Sequence, residues 1–485
     1  MQKIIGRTLE RVELQEIYES GRPELVVVYG RRRVGKTFLI REQFNGQFAF
    51  YHTGLSQQEI DATSQKEGQL QNFASSLRHY GKTEQKTPTD WLTAFDDLRS
   101  LLEEKMQAAP EQRQVVFIDE LPWMDTPRSG FLSALEHFWN GWGAGQTSLM
   151  LIVCGSATAW ISDHLLHNKG GLYDRKTREI KLHPFTLHEA ELYYQEQGIE
   201  LDRYAQMQLY MMLGGIPYYM SFVHKGYSVE QTMYYLFVQH NAKLGDELEQ
   251  LFMSLFTNHQ DCMKIVRLLA NRKSGYTRKE IAEKTGVPYG GGLTKTLKAL
   301  AESDFIQKYV YYGLPAKEER FRLIDFYSLF ALTVVRKKTS PDADVWRGQF
   351  DKRTMETWYG FAFEALCWNH IPQIKQALGI PSVHTVEYSW RAEKNDEHPG
   401  AQIDLLIRRA DRIINLCEMK FCVGDYIIDN TEANNIRNKI AVYQQLTRSK
   451  EAIHPTIVTT YGLVANKYSH SIQKVITMDD LFGKN

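Results

Sequence analysis

The sequence has few cysteines, no long apolar run and no net charge, and each lack narrows the field. Its five cysteines (Cys154, Cys262, Cys367, Cys417, Cys422) form no CxxC pair, which argues against a zinc knuckle or a disulfide scaffold. A reducing compartment fits best. No stretch approaches the ~18 consecutive apolar residues of a membrane span. The opening residues Met1-Gln2-Lys3-Ile4-Ile5-Gly6-Arg7 lack the apolar core of a signal peptide. A cytoplasmic protein with no membrane partner is expected. With 58 basic against 58 acidic side chains, any nucleic-acid contact must come from local patches rather than a global field. Internal repeats and low-complexity segments are also lacking. What is present is 485 residues, 43% hydrophobic and 24% charged, enough for about three domains of ~150 residues, each with a core.

The most informative stretch is Gly30-Arg31-Arg32-Arg33-Val34-Gly35-Lys36-Thr37. Before it, Leu25-Val26-Val27-Val28-Tyr29 reads as a buried strand, and after it Phe38-Leu39-Ile40-Arg41 reads as the first helical turn. This is G-x-x-x-x-G-K-T between a strand and a helix. The glycines let the backbone curl its N–H groups inward at a helix N-terminus that favours anions. Lys36 can then reach terminal phosphates, and the Thr37 hydroxyl can complete a Mg²⁺ shell. The expected ligand is a nucleoside triphosphate, ATP, held by Gly30, Arg31, Arg32, Arg33, Val34, Gly35, Lys36, Thr37 and Phe38.

Downstream, Val115-Val116-Phe117-Ile118 is a buried strand ending in Asp119-Glu120. Beside a P-loop, Asp119 is the expected second holder of Mg²⁺ and Glu120 the group that polarises the attacking water. A further strand, residues 149–154, ends at Gly155-Ser156, where Ser156 is either a polar sensor of the nucleotide or a helix cap. After Tyr173-Asp174, Arg175 and Arg178 read either as stabilisers of transition-state charge or as a solvated basic turn. Gly214-Gly215-Ile216-Pro217 ends a helix rich in Met and Leu.

Together, Gly6-Arg7, the P-loop, Ile118-Asp119-Glu120-Leu121, Gly155-Ser156 and Gly214-Gly215-Ile216-Pro217 resemble the archaeal-type ATPases of the STAND branch of AAA+ proteins. The five elements stand in that family's order over the first half of the chain. The resemblance implies that Arg7 lies near the adenine and that Pro217 contacts the nucleotide side of a helical lid.

From Met263 the pattern changes to a helix, a second helix (residues 278–284), the turn Gly286-Val287-Pro288, a third helix through Leu297 and Leu300, and a strand at 305–310. That order is a winged helix. Ten Lys or Arg stand against five acids from His259 to Gly313, an excess that suits DNA phosphates. Lys279, Thr294, Lys295 and Lys298 are the candidate contacts. The same module can serve packing alone, with its surplus charge solvated.

A charged connector, residues 336–342, leads to an apolar helix carrying one acid, Glu364. A lone buried carboxylate is costly without partners. Two strands then form an expected hairpin, residues 402–407 and 413–421, linked by Arg408-Arg409-Ala410-Asp411-Arg412. A turn centred near Asp411 brings Asp404 opposite Glu418, and the two-residue strand period puts Lys420 on the face of Glu418. Facing carboxylates plus an ammonium in buried strands are too costly for structure alone, and a divalent metal would relieve them.

Asp404, Glu418-Met419-Lys420 and the preceding Glu364 resemble the PD-(D/E)xK nuclease superfamily. That resemblance implies a restriction-endonuclease-like fold, Mg²⁺ or Mn²⁺ on Asp404 and Glu418 with Glu364 as a further ligand or orienter, and a catalytic role for Lys420. Lys439 and Gln444, on a later helix, are either contacts to the scissile strand or ordinary polar-face residues. The whole is expected to be an α/β protein: a P-loop AAA+-type αβα core (1–190), a helical lid with the GGIP turn (191–256), a winged helix (257–336) and a restriction-endonuclease-like α/β domain (337–485). The functional expectation is a switch ATPase controlling a metal-dependent deoxyribonuclease, in prokaryotic defence or DNA processing. DNA and a second copy of the chain are the expected partners. The rival is an ATP-dependent DNA-binding regulator with an inactive nuclease fold.

Overall fold

A computed structural model describes residues 3–56, 65–83, 86–166, 175–310, 319–335, 352–394, 396 and 399–484. The connector expected at 336–342, and Tyr173 and Asp174, lie outside these described residues. The chain divides into two compact units, Met1–Pro184 and Phe185–Asn485.

In the first unit, α1 (Thr8–Glu19) precedes β1 (Glu24–Tyr29), α2 (Lys36–Gln43) and β2 (Phe50–Thr53). Then come α3 (Gln65–His79), α4 (Trp91–Ala108), β3 (Gln114–Asp119), α5 (Phe131–Gly141), β4 (Leu149–Gly155) and β5 (Arg178–Lys181). The sheet is ordered β2-β3-β4-β1-β5, and every pairing in it is parallel. β3 and β4 are buried along their whole length, as a parallel sheet covered on both faces requires. Aromatics from α3, α4 and α5 fill one face; Trp91 meets Phe131 edge-on with centroids 4.8 Å apart, the geometry ring quadrupoles favour. α4 starts where the Asp90 side chain accepts a hydrogen bond from Thr93 N.

The second unit opens with α6 (Leu187–Glu196), α7 (Arg203–Leu213), α8 (Val229–Phe237) and α9 (Glu247–Leu255). Gly214 (φ 70°) closes α7, and Gly215 (φ 65°) follows it. A Cβ on Gly215 would sit 2.3 Å from the Phe185 carbonyl oxygen, so only glycine fits there. Pro217 then occupies the first turn of a one-turn helix, Pro217–Met220, where its missing N–H costs nothing.

Next come α10 (His259–Leu269), β6 (Tyr276–Thr277), α11 (Arg278–Thr285), α12 (Gly291–Glu302), β7 (Ile306–Tyr309) and β8 (Arg320–Leu323), with an antiparallel sheet ordered β6-β8-β7. Thr277 and Glu280 form a capping box that starts α11, and Gly286 (φ 73°) ends it. Tyr276 and Thr277 also pair with β8, so Thr277 both ends β6 and caps α11.

After α13 (Phe326–Thr333), α14 (Lys352–Asn369) and α15 (Ile371–Ala377) lie β9 (Thr385–Ala392), β10 (Ala401–Arg409), β11 (Ile413–Lys420), α16 (Asn430–Thr447), β12 (Ala452–Thr459) and β13 (Lys474–Ile476). Their mixed sheet is ordered β13-β12-β11-β10-β9. The β9-β10-β11 pairings are antiparallel and the β11-β12-β13 pairings parallel. Arg408 and Arg409 belong to β10, so the hairpin turn is tighter than the five-residue link expected, and Arg412 (φ 68°) completes it.

Candidate functional site

The first candidate site forms where β1, β3 and β4 end together. Gly30 has φ 143°, and a Cβ there would lie 2.2 Å from the Leu182 carbonyl oxygen. Arg33 (φ 75°) and Gly35 (φ 92°) complete a curled backbone that delivers Lys36 at the start of α2. Lys36 Nζ donates to the carbonyls of Gly30 and Arg31, at 2.9 and 3.1 Å, and to Ser156 Oγ at 2.9 Å. Thr37 Oγ1 donates to Asp119 Oδ2 at 2.6 Å, and Asp119 Oδ1 accepts from Glu120 N at 2.9 Å. Glu120, itself in the left-handed region (φ 47°), accepts from Ser156 N and Ser156 Oγ at 3.1 and 2.7 Å. Ser156 therefore links the P-loop lysine to the acid at the end of β3.

The remaining expected contacts surround this core. Arg7 is buried, and its Nη2 donates to the Val34 carbonyl at 3.1 Å, so α1 begins against the P-loop. Arg31 and Val34 are buried, Phe38 is exposed, and the Arg32 guanidinium lies 6.0 Å from the Trp123 ring centroid. Of the two basic-turn candidates, Arg175 is exposed and Arg178 lies 3.6 Å from Glu13. Pro217 stands in the second unit. The donor chemistry at Thr37 and Asp119, a hydroxyl and a carboxylate oxygen already in contact, fits Mg²⁺.

The second candidate site lies on the C-terminal sheet. β10 pairs with β11 so that Leu405 faces Cys417; one step further along the ladder puts Asp404 opposite Glu418. The β9–β10 register shifts between Ile403 and Leu406, so Asp404 stands in a β-bulge, a device that re-aims a side chain. Ser389 Oγ donates to the Asp404 carbonyl at 2.7 Å, and Gln402 Nε2 donates to Asp404 Oδ1 at 2.8 Å.

The two glutamates of the site are each paired with a lysine. Glu418 accepts from Lys439 Nζ at 2.5 Å, with Lys420 Nζ at 3.9 Å. Lys420 turns mainly to Glu432, at 2.7 Å. Glu364, on α14, is held at 2.5 Å by Lys273 Nζ, from the loop between α10 and β6. Burial, with the nearby charges of Asp404 and Glu418, pushes the Glu364 carboxyl up to about 6 against the pull of Lys273. Burial also raises Glu418, with Lys439 and Lys420 acting the other way. Burial lowers Lys420, but its hydrogen bond to Glu432 and the charges of Tyr426, Glu418 and Glu432 outweigh it, and the net shift is upward.

Among the described residues, no three acidic, histidine or cysteine side chains are grouped to hold a metal ion. The acids expected to hold Mg²⁺ or Mn²⁺ bond to other groups in this arrangement: Glu364 to Lys273, Glu418 to Lys439 and Asp404 to the Gln402 amide. Two of the donors were missed or left open by sequence reasoning. Lys273 carries no local signal that it meets α14. Lys439 was open between an ordinary polar-face residue and a site residue, and it is the principal partner of Glu418.

The candidate DNA contacts Lys279, Thr294, Lys295 and Lys298 are all exposed on α11 and α12. Lys279 and Lys298 make loose ion pairs with Glu283 and Glu302, at 3.9 and 3.6 Å, and Thr294 Oγ1 donates to the Gly290 carbonyl at 3.2 Å. No described helix is long and apolar enough to cross a membrane.

Three comparisons bear on these sites. Residues 5–223 match the model of a family described as an ATPase domain predominantly from Archaea. An uncharacterized protein of Methanocaldococcus jannaschii is 23% identical over 419 residues, 83% of each chain. The Walker-type ATPase of Pyrococcus abyssi has a similar fold, with a TM-score of 0.50 at 17% identity over 68% of this chain and 96% of that one. With its P-loop on a parallel sheet and the Thr37–Asp119 contact, the chain carries a P-loop ATPase domain of archaeal type, which implies ATP as its ligand.

Proposed function

We propose that the chain is an ATP-binding and ATP-hydrolysing switch that controls a nuclease-type domain acting on DNA. In this reading residues 257–336 are a winged helix, 337–485 a PD-(D/E)xK nuclease-like domain, and the ATPase a member of the STAND branch. The observation that carries the control is the 2.5 Å ion pair from Lys273, before β6, to Glu364 on α14. A module expected to contact DNA thereby holds a residue of the candidate cutting site.

At the ATPase site the P-loop N–H groups and the start of α2 receive the phosphates. Lys36 turns from carbonyl oxygens toward the incoming anion. Thr37 and Asp119 would hold Mg²⁺, which neutralises phosphate charge when bound. Ser156 gives up its bond from Lys36 as the lysine moves, while its bonds to Glu120 carry that change to the acid that orients the attacking water. Nucleotide state then selects one packing of the remaining modules, as in other order-switching ATPases. Lys279, Thr294, Lys295 and Lys298 supply the DNA contact, and pairing of two copies is a further route of control. Such a pairing of activities suits prokaryotic defence against foreign DNA or DNA processing, in the cytoplasm.

A second reading, an ATP-dependent DNA-binding regulator with an inactive nuclease fold, is favoured by the lysine-paired carboxylates. Incubating plasmid DNA with Mg²⁺ or Mn²⁺, with and without ATP, separates the two. Cleavage by the wild type that is lost in Asp404→Ala and altered in Lys36→Ala supports the switch-controlled nuclease. No cleavage under any metal or nucleotide condition leaves the regulator.

A further inference from the structure

The C-terminal sheet has a second charged feature at the end remote from Asp404 and Glu418. A cleft of about 610 Å³ opens where β9 and β12 begin, β10 turns into β11 and α16 ends. Five basic side chains line it, Arg408, Arg409, Arg412, Arg448 and Lys450, against one acid, Glu451. Two of the five are matched: Arg408 Nε lies 2.9 Å from Glu451, and Arg409 pairs with Asp411. Arg412, Arg448 and Lys450 are exposed and make no ion pair with a described residue.

The backbone adds a second observation. Arg412 (φ 68°) and Arg448 (φ 52°) both stand in the left-handed region, which costs an L-residue roughly 1–2 kcal/mol and suits glycine or asparagine better. The C-terminus of α16 attracts a cation and so gives a reason for Arg448. Arg412 caps no helix, sitting in the hairpin turn. Two walls of one cleft thus present arginines at positions whose conformation does not favour them.

We propose that this cleft binds the phosphodiester backbone of DNA, as a holding site separate from the carboxylate cluster. Guanidinium forks match phosphate oxygens in pairs. The lining offers little surface for a nucleobase beside its cations: Tyr443 is buried, and His384 and Val386 are the exposed ring and large apolar side chain there. That favours backbone recognition over capture of a free nucleotide, whose base needs an apolar or aromatic seat. Arg408 lies four residues beyond Asp404 on β10 and lines the cleft with α16, whereas Asp404 lines a different cleft with Glu364 of α14, so the two sites are separate. The inference rests on the reading of DNA as partner but not on cleavage.

The test is fluorescence anisotropy of a short labelled DNA duplex against full-length protein over a salt series. The proteins compared are wild type, a cleft variant (Arg412→Glu, Arg448→Glu, Lys450→Glu), its neutral counterpart with Gln at all three positions, and a middle-module variant (Lys279→Glu, Lys295→Glu). Thermal melting and ATP turnover of the cleft variants should match wild type. The cleft reversal should weaken binding at least ~10-fold and lower the slope of log affinity against log salt by about 2–3, at ~0.9 per phosphate contact; the neutral variant should move the same way. Wild-type affinity and slope in both cleft variants overturn the cleft alone. If the wild type binds no duplex at any salt, the reading of DNA as partner falls with it. If AMP or inorganic phosphate binds the cleft in calorimetry while duplex binding ignores the cleft charges, the site is a small-anion site and the proposal is overturned.

Discussion

Lys36 and Lys439 both end at a strand-borne cluster of polar groups, and they are employed in opposite ways. Lys36 donates to two carbonyls and a serine hydroxyl and makes no ion pair with a described residue. Lys439 donates to Glu418, a carboxylate with 7% of its side chain exposed. A lysine resting on neutral oxygens keeps its charge available for an incoming polyanion and yields those oxygens at little cost. A lysine on a buried carboxylate has a structural duty, since removing it strands a charge in a low-dielectric setting. The ATPase site is thus prepared for its ligand, whereas Glu364 and Glu418 of the carboxylate cluster already hold lysines of the protein itself.

The largest effect expected from breaking this contrast is on stability. Lys439→Met leaves Glu418 with Lys420 at 3.9 Å as its cation and should lower the stability of the second unit by roughly 3–5 kcal/mol in urea unfolding. Lys439→Arg should retain most of it. A loss within about 0.5 kcal/mol, the range of ordinary surface substitutions, would show that the pair is not a structural one.

Lys36→Ala should behave the other way round. No buried acid loses its partner, because Ser156 still donates to Glu120, so melting should shift little. ATP turnover, followed by phosphate release, should fall by on the order of 10²–10³-fold, the usual consequence of removing one group aimed at developing charge. Unchanged turnover would refute the P-loop assignment.

The two sites also differ in how far the sequence discloses them. The P-loop is legible because its residues are contiguous and the strand and helix around it have clear patterns. The Asp404–Glu418 juxtaposition is legible for a similar reason: a short turn and a period of two fix which residues face each other. The bulge at Asp404 is not, since an extra residue on β10 exists only relative to β9. Nor is the close approach of Gly30 to Leu182, or the choice of Lys439 over its helical neighbours, which depends on how α16 packs against the sheet. Lys273 is hidden most deeply. Its partner stands far along the chain, on α14, and only tertiary packing brings the two together.

A buried histidine in each unit extends the comparison to pH. Burial lowers His52 to about 3 in the first unit and His370 to about 4 in the second. His370 Nδ1 meets the Leu366 carbonyl at 2.8 Å while Nε2 accepts from Leu187 N at 3.1 Å, so a second ring proton would face an N–H. Both folded values lie below the unfolded 6.5, so the unfolded chain binds more protons as pH falls beneath 6.5. Stability should therefore be complete above 6.5 and fall on acidification by about 1.4 kcal/mol per pH unit for each histidine. The fall should continue to about 4 for the second unit and about 3 for the first. Chemical denaturation across this range checks it; His52→Phe and His370→Gln should each flatten the slope in their own unit.

The smallest expected effect bears most directly on control. Lys273 is 42% exposed and Glu364 21%, so their ion pair is far cheaper to break than the one at Glu418. If that contact restrains the carboxylate cluster, Lys273→Met should leave melting almost unchanged and raise Mn²⁺ affinity of the second unit about tenfold in calorimetry, equivalent to ~1.4 kcal/mol. The titration belongs well above the Glu364 pKa, because losing the nearby ammonium removes the influence that holds that value down. Asp119→Ala in the same protein removes the charged metal ligand expected at the ATPase site and isolates the heat from the carboxylates. Equal Mn²⁺ binding with and without Lys273 would mean that the 2.5 Å contact is packing rather than restraint, and the carboxylate cluster would then be a charge-balanced structural feature like the Glu418–Lys439 pair beside it.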